Sequence, residues 1–398
     1  MPIARVILKR RRALPFFSGH PWVFETAIDR MEGTPEPGDQ VRVESFEGKL
    51  IGIGLYNPDS HIRVRLYQHG EEEPLDWDFW VHRIDCAIDH RDQLFGETPH
   101  RVACRLINSE GDSLSGLTVD RFGDWLVVQL TSRALADDRY RETLISRLIE
   151  MESPKGVWLR TEKGIREQEN LQQEDGLIWG EAPDGPIEIE EHGLQLNVDI
   201  QTGQKTGYYF DQRDNRILAA EVMQGNVLDV CCYSGGFSLQ LLKHGQVDHV
   251  TAVDSSAPAL ELLQQNATLN DITDRLTVER ADGRLFLERL PEETMYDGII
   301  LDPPKLIRNR AAAKRGHKAY VEWNRLAMER LTPGGTLVTC SCSGLVSREQ
   351  LYELVQQAAI KAGRRVQVFY AGSQAMDHPV QPACRESEYL KALFCRVY

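Results

Sequence analysis

Residues 227–254, VLDVCCYSGGFSLQLLKHGQVDHVTAVD, contain two strongly apolar segments separated by a helical one. The alternation continues through LTVERAD, YDGIILDPP and TLVTCSCS, each of which lies next to a helical stretch. Strands that alternate with helices predict a parallel sheet with helices on both faces, the α/β class. Two further strand-like segments, RRVQVFY and YLKALFCRVY, close the chain. We interpret them as an antiparallel hairpin that completes a seven-stranded sheet.

The first strand of this region leads into a glycine-containing turn, Tyr233-Ser234-Gly235-Gly236. Glycines there let the backbone approach a ligand, although a tight corner with no ligand is the alternative. The turn does not match GxGxxG, so the pyrophosphate of a dinucleotide would lack its usual cradle. A closing antiparallel hairpin is also typical of S-adenosylmethionine (SAM)-dependent methyltransferases rather than of nicotinamide-binding domains.

Acidic residues lie at the ends of three successive strands. They are Asp229, Asp254 and Asp282. In an open parallel sheet ligands bind outside the carboxyl ends of the strands, where an acid can accept hydrogen bonds from ribose hydroxyls. Each acid alone could instead cap the following helix. Three together predict a nucleoside-containing cofactor.

The fourth strand ends in Asp302-Pro303-Pro304-Lys305. Two prolines give a rigid, extended backbone that can hold a reacting group in place. Methyltransferases that act on amino groups carry an aromatic residue where Lys305 stands, so an exocyclic amine target is disfavoured.

The fifth strand ends in Thr339-Cys-Ser-Cys342-Ser-Gly344, which places Cys342 beside Asp302. A cysteine there suggests covalent catalysis, because a thiolate that adds to carbon 6 of a pyrimidine activates carbon 5. A buried structural thiol is the alternative. Cys231, Cys232, Cys340 and Cys342 lack the CxxC spacing of structural zinc, and no metal site is predicted.

The charge of this 398-residue chain is unevenly distributed. Its net charge of −14, from 46 Lys/Arg and 60 Asp/Glu, taken alone disfavours a nucleic-acid partner. However, residues 305–321 contain six Lys/Arg and no acid, which favours a polyanionic substrate over a solvated helix face. Residues 9–12, KRRR, could form a second contact.

The remaining sequence predicts three domains, with boundaries at residues 1–72, 73–188 and 189–398. Segment 61–68, HIRVRLYQ, alternates strictly, and its polar face is either solvated or an arginine-and-aromatic surface for RNA. The chain has no apolar run long enough to cross a membrane, and its N-terminus lacks the h-region of a signal peptide. We therefore expect a cytoplasmic protein with reduced cysteines.

Several longer motifs carry a resemblance to a known family. They are GHPWVF (19–24), EHGLQ (191–195), TGYYFDQRDNR (206–216), CYSGGF (232–237), LDPPK (301–305), SCSGL (341–345) and DHPV (377–380). On these residues the chain resembles, over essentially its whole length, the RlmI-type ribosomal-RNA large-subunit methyltransferases. That family modifies carbon 5 of a cytidine in 23S rRNA.

The resemblance implies an N-terminal PUA β barrel that binds RNA, a central α+β domain and a C-terminal Rossmann-like domain that binds SAM. It implies that Cys342 is the nucleophile and that Phe210, Asp211 and Arg213 help to line the cofactor site. Related RNA cytosine-C5 methyltransferases often carry a second cysteine where this chain has Lys305, so the group that removes the C5 proton is open. Asp302 is our candidate for holding the cytosine. The expected cofactor site consists of Phe210, Asp211, Arg213, Asp229, Tyr233, Ser234, Gly235, Gly236, Asp254, Asp282, Asp302 and Pro303.

Two other functions remain open from the sequence. One is an RNA methyltransferase that acts on guanine or adenine without a covalent intermediate. The other is an RNA-binding assembly factor with a vestigial cofactor site. The expected partner is 23S rRNA or a large-subunit precursor, with a homodimer as a candidate assembly and no membrane.

Overall fold

The computed structural model describes residues 3–161, 163–171 and 174–398. The chain forms two compact units. The first comprises the chain up to Ile189, together with the later segments Val198–Tyr209 and Met376–Ser387. The second comprises Glu190–Asn197, Phe210–Ala375 and Glu388–Tyr398.

The first unit begins with a six-stranded sheet in the order β2-β6-β5-β4-β1-β3, in which only the β1–β4 pair is parallel. This agrees with the small β domain that the sequence predicts. Its elements are β1 (Ala4–Leu8), helix α1 (Leu14–Phe17), β2 (Trp22–Phe24), β3 (Ile28–Glu32), β4 (Gln40–Glu44), β5 (Leu50–Tyr56) and β6 (Ile62–His69).

The polar face of β6 corrects our sequence interpretation at Arg65 and Tyr67, which are neither solvated nor available to RNA. Arg65 and Tyr67 are buried, 7% and 3% exposed. Arg65 donates from Nη1 to Ser115 Oγ at 3.0 Å, and the Tyr67 hydroxyl donates to the Ser115 carbonyl at 2.6 Å. Alternation assigns residues to a face but does not reveal whether another layer covers it. Here the rest of the first unit covers it.

A five-stranded sheet in the order β11-β10-β9-β8-β7 follows in the same unit. The predicted turn at Gly123-Asp124 is confirmed: Gly123, with φ +58°, joins β8 to β9. The elements are α2 (Trp77–Phe95), β7 (Ala103–Asn108), β8 (Leu117–Phe122), β9 (Trp125–Leu130), α3 (Arg133–Ala136), α4 (Asp138–Glu152), β10 (Gly156–Leu159), α5 (Lys163–Glu169) and β11 (Gly176–Gly180).

Two short strands, β12 (Ile187–Glu191) and β13 (Leu194–Val198), form a hairpin. His192 and Gly193, with φ +50° and +74°, make its turn, as the sequence predicts.

The second unit is built on a seven-stranded sheet in the order β16-β15-β14-β17-β18-β20-β19. The first five strands are parallel, and β20 lies antiparallel between β18 and β19, which confirms the α/β class and the closing hairpin. The elements are α6 (Arg213–Val222), β14 (Gln224–Val230), α7 (Gly236–His244), β15 (Gln246–Asp254), α8 (Ala257–Leu269), β16 (Leu276–Arg280), α9 (Gly283–Arg289), β17 (Tyr296–Leu301), α10 (Ala313–Glu329), β18 (Leu331–Ser341), α11 (Arg348–Lys361), β19 (Val366–Gly372) and β20 (Lys391–Val397).

The order of these strands determines where a ligand can bind. Strands β15 and β16 lie on one side of β14, whereas β17 and β18 lie on the other. The chain therefore reverses direction across the sheet between β14 and β17. Ligands of open α/β sheets bind outside the carboxyl ends of the strands at such a point. None of the described helices combines the length and apolarity that crossing a bilayer requires.

Candidate cofactor and catalytic site

The structure brings the predicted strand-end residues to one edge of one sheet. Asp254 is the last residue of β15, and Asp302 and Cys342 directly follow β17 and β18. Asp229 is the residue before the last residue of β14, and Asp282 lies two residues after the end of β16. Because the five strands are parallel, their carboxyl ends meet at the same edge.

Asp229 is a buried carboxylate with an open acceptor. Its Oδ2 accepts the Ser238 backbone N–H and hydroxyl at 3.1 and 2.6 Å. Its Oδ1 is buried and has no partner among the residues that the structure describes. Burial raises the pKa of Asp229 to about 7, and the bonds from Ser238 only partly oppose this shift.

The turn after β14 has an unusual backbone. Cys231, Tyr233 and Gly235 have φ angles of +66°, +51° and +83°. A Cβ atom at Gly235 would stand 2.0 Å from the Leu263 Cδ1 atom, so no larger residue fits there without movement. The predicted glycine turn therefore exists, and its shape is demanded by packing against α8.

Asp254 and Asp282 have different surroundings. Asp254 accepts the backbone N–H groups of Tyr233 and Ser256 at 3.0 and 2.9 Å, which ties the turn to the end of β15. Asp282 is exposed and accepts the Leu285 N–H at 3.0 Å, so it caps α9. Asp282 therefore makes the helix-capping contact that the sequence analysis gave as the alternative role of these acids.

Asp302 is held from the segment that precedes α6. Gln212 donates from Nε2 to Asp302 Oδ2 at 2.9 Å, and Gln212 Oε1 accepts Asn215 Nδ2 at 2.7 Å. Our sequence interpretation missed Gln212. The signal was present, because Gln212 lies inside the TGYYFDQRDNR motif, between two residues that we selected.

The residues beside Gln212 in this motif, Phe210, Asp211 and Arg213, contact other parts of the second unit. Phe210 is buried, and the Asp211 carboxylate accepts the Tyr389 hydroxyl at 2.7 Å. Arg213 is buried, and its Nε lies 3.7 Å from Glu191 Oε2. These contacts fix the segment within the second unit.

Cys342 is half-buried between two anchored serines. The Tyr320 hydroxyl of α10 lies 2.8 Å from Ser341 Oγ and 3.0 Å from Ser343 Oγ. The Ile307 N–H also donates to Ser343 Oγ at 3.3 Å. Burial raises the pKa of Tyr320 to about 12, so its hydroxyl stays protonated near neutral pH. The loop that carries the thiol is therefore braced on both sides.

Comparison with known proteins assigns the chain to a family. The PUA-like domain family matches residues 6–69, and the methyltransferase small domain family matches residues 215–369. The "Ribosomal RNA large subunit methyltransferase I" of Erwinia tasmaniensis is 38% identical over 396 residues, 99% of each chain. That of Tolumonas auensis is 38% identical over 395 residues, 98% of each. This chain belongs to the ribosomal RNA large subunit methyltransferase I family.

Solved structures share the fold of this family member. The crystal structure of SMU.776, complexed with S-adenosylhomocysteine (SAH), superposes with a TM-score of 0.83 at 18% identity and covers 98% of this chain and 99% of that one. Trm5b from Pyrococcus abyssi gives a TM-score of 0.52 at 16% identity and covers 100% and 99%. Family membership confirms the predicted PUA-like and methyltransferase domains and SAM as the cofactor.

The residues of this family member fit such a cofactor. SAM carries an ammonium group and ribose hydroxyls, which need buried acceptors. Asp229 Oδ1 is one such buried acceptor. The carboxylate of Asp254 lies at the adjacent strand end.

The basic segment of this family member is exposed beside the thiol loop. It comprises Lys305, Arg308, Arg310, Lys314, Arg315 and Lys318, all exposed. No acid lies within the segment, and Glu322, the first acid after it, pairs with Arg325 at 2.7 Å. Within the described part of the chain, none of the six forms an ion pair. Unpaired cations of one sign form a phosphate-binding surface more readily than a solvated, mixed-charge face.

A cluster in the first unit resembles a metal site but is better explained by hydrogen bonds. His20, Cys384 and Glu386 bring ligand-type atoms within 4.8 Å of one another. His20 Nδ1 accepts the Trp22 N–H at 3.2 Å, so the ring proton is on Nε2, which lies 3.5 Å from Glu386 Oε2. That tautomer suits a hydrogen bond to the carboxylate rather than a metal bond.

Proposed function

We propose that this protein methylates carbon 5 of a cytidine in 23S rRNA through a covalent adduct with Cys342. The relatives named above are ribosomal RNA large subunit methyltransferases, which supports rRNA as the substrate. The observation that carries the finer proposal is the position of Cys342. It follows β18 next to Asp302, which follows the adjacent strand β17, at the edge where the candidate cofactor residues lie.

The chemistry needs a thiolate. Carbon 5 of cytosine is too weak a nucleophile to take a methyl group unaided. When the Cys342 thiolate adds to carbon 6, the ring gains enamine character and carbon 5 becomes nucleophilic. Once carbon 5 has taken the methyl group, a transfer that would leave SAH behind, loss of the C5 proton re-forms the double bond and expels the thiolate. SAM, when bound, supplies the electrophilic methyl group.

Asp302 is our candidate for orienting the base. A carboxylate can accept from the exocyclic amine of cytosine and, once N3 is protonated, from the N3–H group. Gln212 fixes one oxygen of Asp302 by donating to it at 2.9 Å, which limits the positions the carboxyl can take. The prolines after Asp302 hold the backbone extended. Asp302 is therefore preorganised for this role.

The remaining candidate residues would hold the cofactor. Asp229 would accept from the cofactor's amino group, Asp254 from its ribose and Asp282 from its adenine. Tyr233, Ser234, Gly235, Gly236 and Pro303 would form the surrounding backbone, with Phe210, Asp211 and Arg213 from the preceding segment.

The RNA would bind through the exposed cations from Lys305 to Lys318, and the KRRR run at residues 9–12 is a candidate second contact. A base inside paired RNA must be unstacked before it can reach the thiol, and a loop nucleotide costs less to unstack. A cytoplasmic location and a homodimer stay predictions, and sedimentation would test the latter.

The decisive experiment combines labelling with a thiol variant. The protein is incubated with tritiated SAM and unmethylated 23S rRNA, and the product nucleosides are separated. We expect label in 5-methylcytidine, and we expect Cys342→Ala to lower turnover by more than a thousandfold because carbon 5 is no longer activated. Cys86→Ala, which removes an exposed thiol in α2, is the matched control and should keep full activity.

The outcomes separate the alternatives. Full turnover by Cys342→Ala would rule out the covalent mechanism. Label in methylguanosine or methyladenosine would instead identify a methyltransferase without a thiol step. Absence of measurable SAH binding by calorimetry would favour an assembly factor.

A further inference from the structure

Lys391 is a cation inside the sheet. It begins β20 and is 2% exposed, in a strand whose neighbours Ala392, Leu393 and Phe394 are fully buried. Its direct partner across the antiparallel pair is Ser341, the residue before Cys342. Directly opposite residues place their side chains on the same face of a sheet. The ammonium group therefore lies beside the loop that carries the thiol.

The contacts of Lys391 leave it without a carboxylate. Its Nζ donates to the carbonyl oxygens of Ser343 and Tyr389 at 2.9 and 2.8 Å. An ammonium group has three N–H donors, and these two bonds use two of them. Lys391 forms no ion pair with an acid in the described ranges 3–161, 163–171 and 174–398. A buried charge without a partner is costly, so the site favours a nearby anion.

Among the charged groups near Lys391, the thiolate form of Cys342 is the candidate for that anion. Glu388 is bound by Arg348, whose Nη2 lies 3.3 Å from Glu388 Oε1, and Lys305 is another cation. Burial lowers the pKa of Lys391 to about 8, and a negative charge on Cys342 opposes this more than that of Glu388 does. Around Cys342 itself, Tyr320 stays neutral, and Asp302 is the acid at the end of the neighbouring strand β17. Lys391 is the cation whose ammonium is anchored to the Cys342 loop.

We propose that Lys391 is a positioning residue that keeps Cys342 in its thiolate form. The thiol proton leaves to solvent, and the S–H electron pair stays on sulfur, where the ammonium charge stabilises it. A nearby lysine lowers the pKa of a cysteine in this way. When the thiolate adds to carbon 6, sulfur loses its charge, and it regains it on leaving. The ammonium group thus assists the departure of the thiolate as well as its formation.

The catalytic role of the Cys342 thiolate rests on the proposed function. The pH at which the Cys342 thiol ionises does not, so the test needs no RNA. The rate at which iodoacetamide alkylates Cys342 is measured against pH by mass spectrometry of the Cys342 peptide. In the unmodified protein we expect a midpoint clearly below the ordinary thiol value of about 8.5. Lys391→Met should raise the midpoint by about one unit, a roughly tenfold loss of thiolate near neutral pH. Lys391→Arg keeps the charge and should restore the lower midpoint.

A control variant shows whether the effect is local, and two results would overturn the proposal. Lys361→Met, which removes an exposed lysine at the end of α11, is the control and should not move the midpoint. A midpoint of 8.5 or higher in the unmodified protein would contradict the proposal whatever the variants do. An unchanged midpoint in Lys391→Met that still binds SAH would also contradict it. If the midpoint shifts but Cys342→Ala keeps full turnover, the proposed function fails while Lys391 keeps its effect on the thiol.

Discussion

At the scale of single residues, the turn between β14 and α7 makes the clearest prediction. Gly235 has φ +83°, and an added Cβ atom would meet Leu263 Cδ1 at 2.0 Å. Gly235→Ala therefore combines backbone strain with a steric clash, and we expect a loss of about 2–4 kcal/mol of stability. SAH affinity should fall as well, because the shifted turn carries residues of the proposed cofactor site. Thermal unfolding and calorimetric titration measure the two effects.

Gly334 provides the matched control for Gly235. It has φ +81°, but nothing lies within 4 Å of an added Cβ atom. Gly334→Ala should therefore show the backbone strain alone and leave SAH binding unchanged. Equal losses of stability in the two variants would show that the contact with Leu263 does not matter. Adding Leu263→Ala to Gly235→Ala should recover only part of the loss, because the strain persists.

Sequence reasoning found residues that lie at strand ends but missed residues that act through side-chain contacts. The three acids are recognisable because each lies at or just after the carboxyl end of a strand in the alternating pattern. Gln212, Tyr320 and Lys391 come from elements distant in sequence from the residues they hold. No spacing rule connects a residue near α6 with one after β17. Lys391 did carry a signal, as a cation within an otherwise apolar strand, but its significance depends on the pairing of β20 with β18.

At the scale of elements, α10 does more than present charge. Its Tyr320 hydroxyl bridges the two serines that flank Cys342, at 2.8 and 3.0 Å. Tyr320→Phe removes this brace and leaves buried hydroxyls without that partner, at a cost of about 1–2 kcal/mol of stability. Because the loop then carries the thiol less rigidly, we expect kcat to fall about tenfold or more while KM for RNA changes little. Steady-state kinetics with 23S rRNA measure the split.

Tyr352→Phe is the control for this prediction, because Tyr352 is 39% exposed on α11. It should leave both kinetic constants unchanged. A rise in KM for RNA in Tyr320→Phe, with kcat preserved, would mean that Tyr320 serves the RNA surface of α10 and not the thiol loop.

The sequence predicts most of the strands and helices, but it does not predict which of their polar faces another part of the fold covers. The alternation of strands and helices predicted the parallel sheet and its closing hairpin, because a buried parallel strand has a distinctive continuous apolar pattern. Strand β6 shows where the pattern fails. The alternation of Arg63, Arg65 and Tyr67 predicts a solvent-exposed face. Arg65 is nevertheless buried, and it donates to Ser115 and Glu169. A buried arginine with partners has the same sequence pattern as an exposed one.

At the scale of the whole molecule, each compact unit is assembled from segments that are separate in sequence. The first compact unit includes Val198–Tyr209 and Met376–Ser387, which are separated in sequence from its main part. The second of these segments leaves the sheet between β19 and β20. A reading that follows the chain assigns such a segment to the domain that surrounds it in sequence. Only the fold reveals that it belongs elsewhere.

The net charge of −14 acts at this scale too, and it makes the RNA interaction depend on a local surface. Lys314, Arg315 and Lys318 are exposed near the start of α10, and together they carry half of the positive charge of the basic segment. Changing all three to Gln should weaken RNA binding. It should also reduce the slope of log affinity against log salt by about 2, since each phosphate contact in single-stranded RNA contributes roughly 0.7.

The control for this prediction must separate local from overall charge. Changing Lys243, Lys361 and Arg289 to Gln removes the same charge from exposed or partly exposed positions on other helices of the second unit. If the basic segment binds phosphate, only the α10 triple variant loses salt dependence, and SAH affinity is the same in both. Equal losses in the two variants would mean that RNA responds to the total charge of the protein. Because the negative net charge of the molecule disfavours RNA elsewhere, a local effect would mean that affinity arises where the exposed cations of α10 lie.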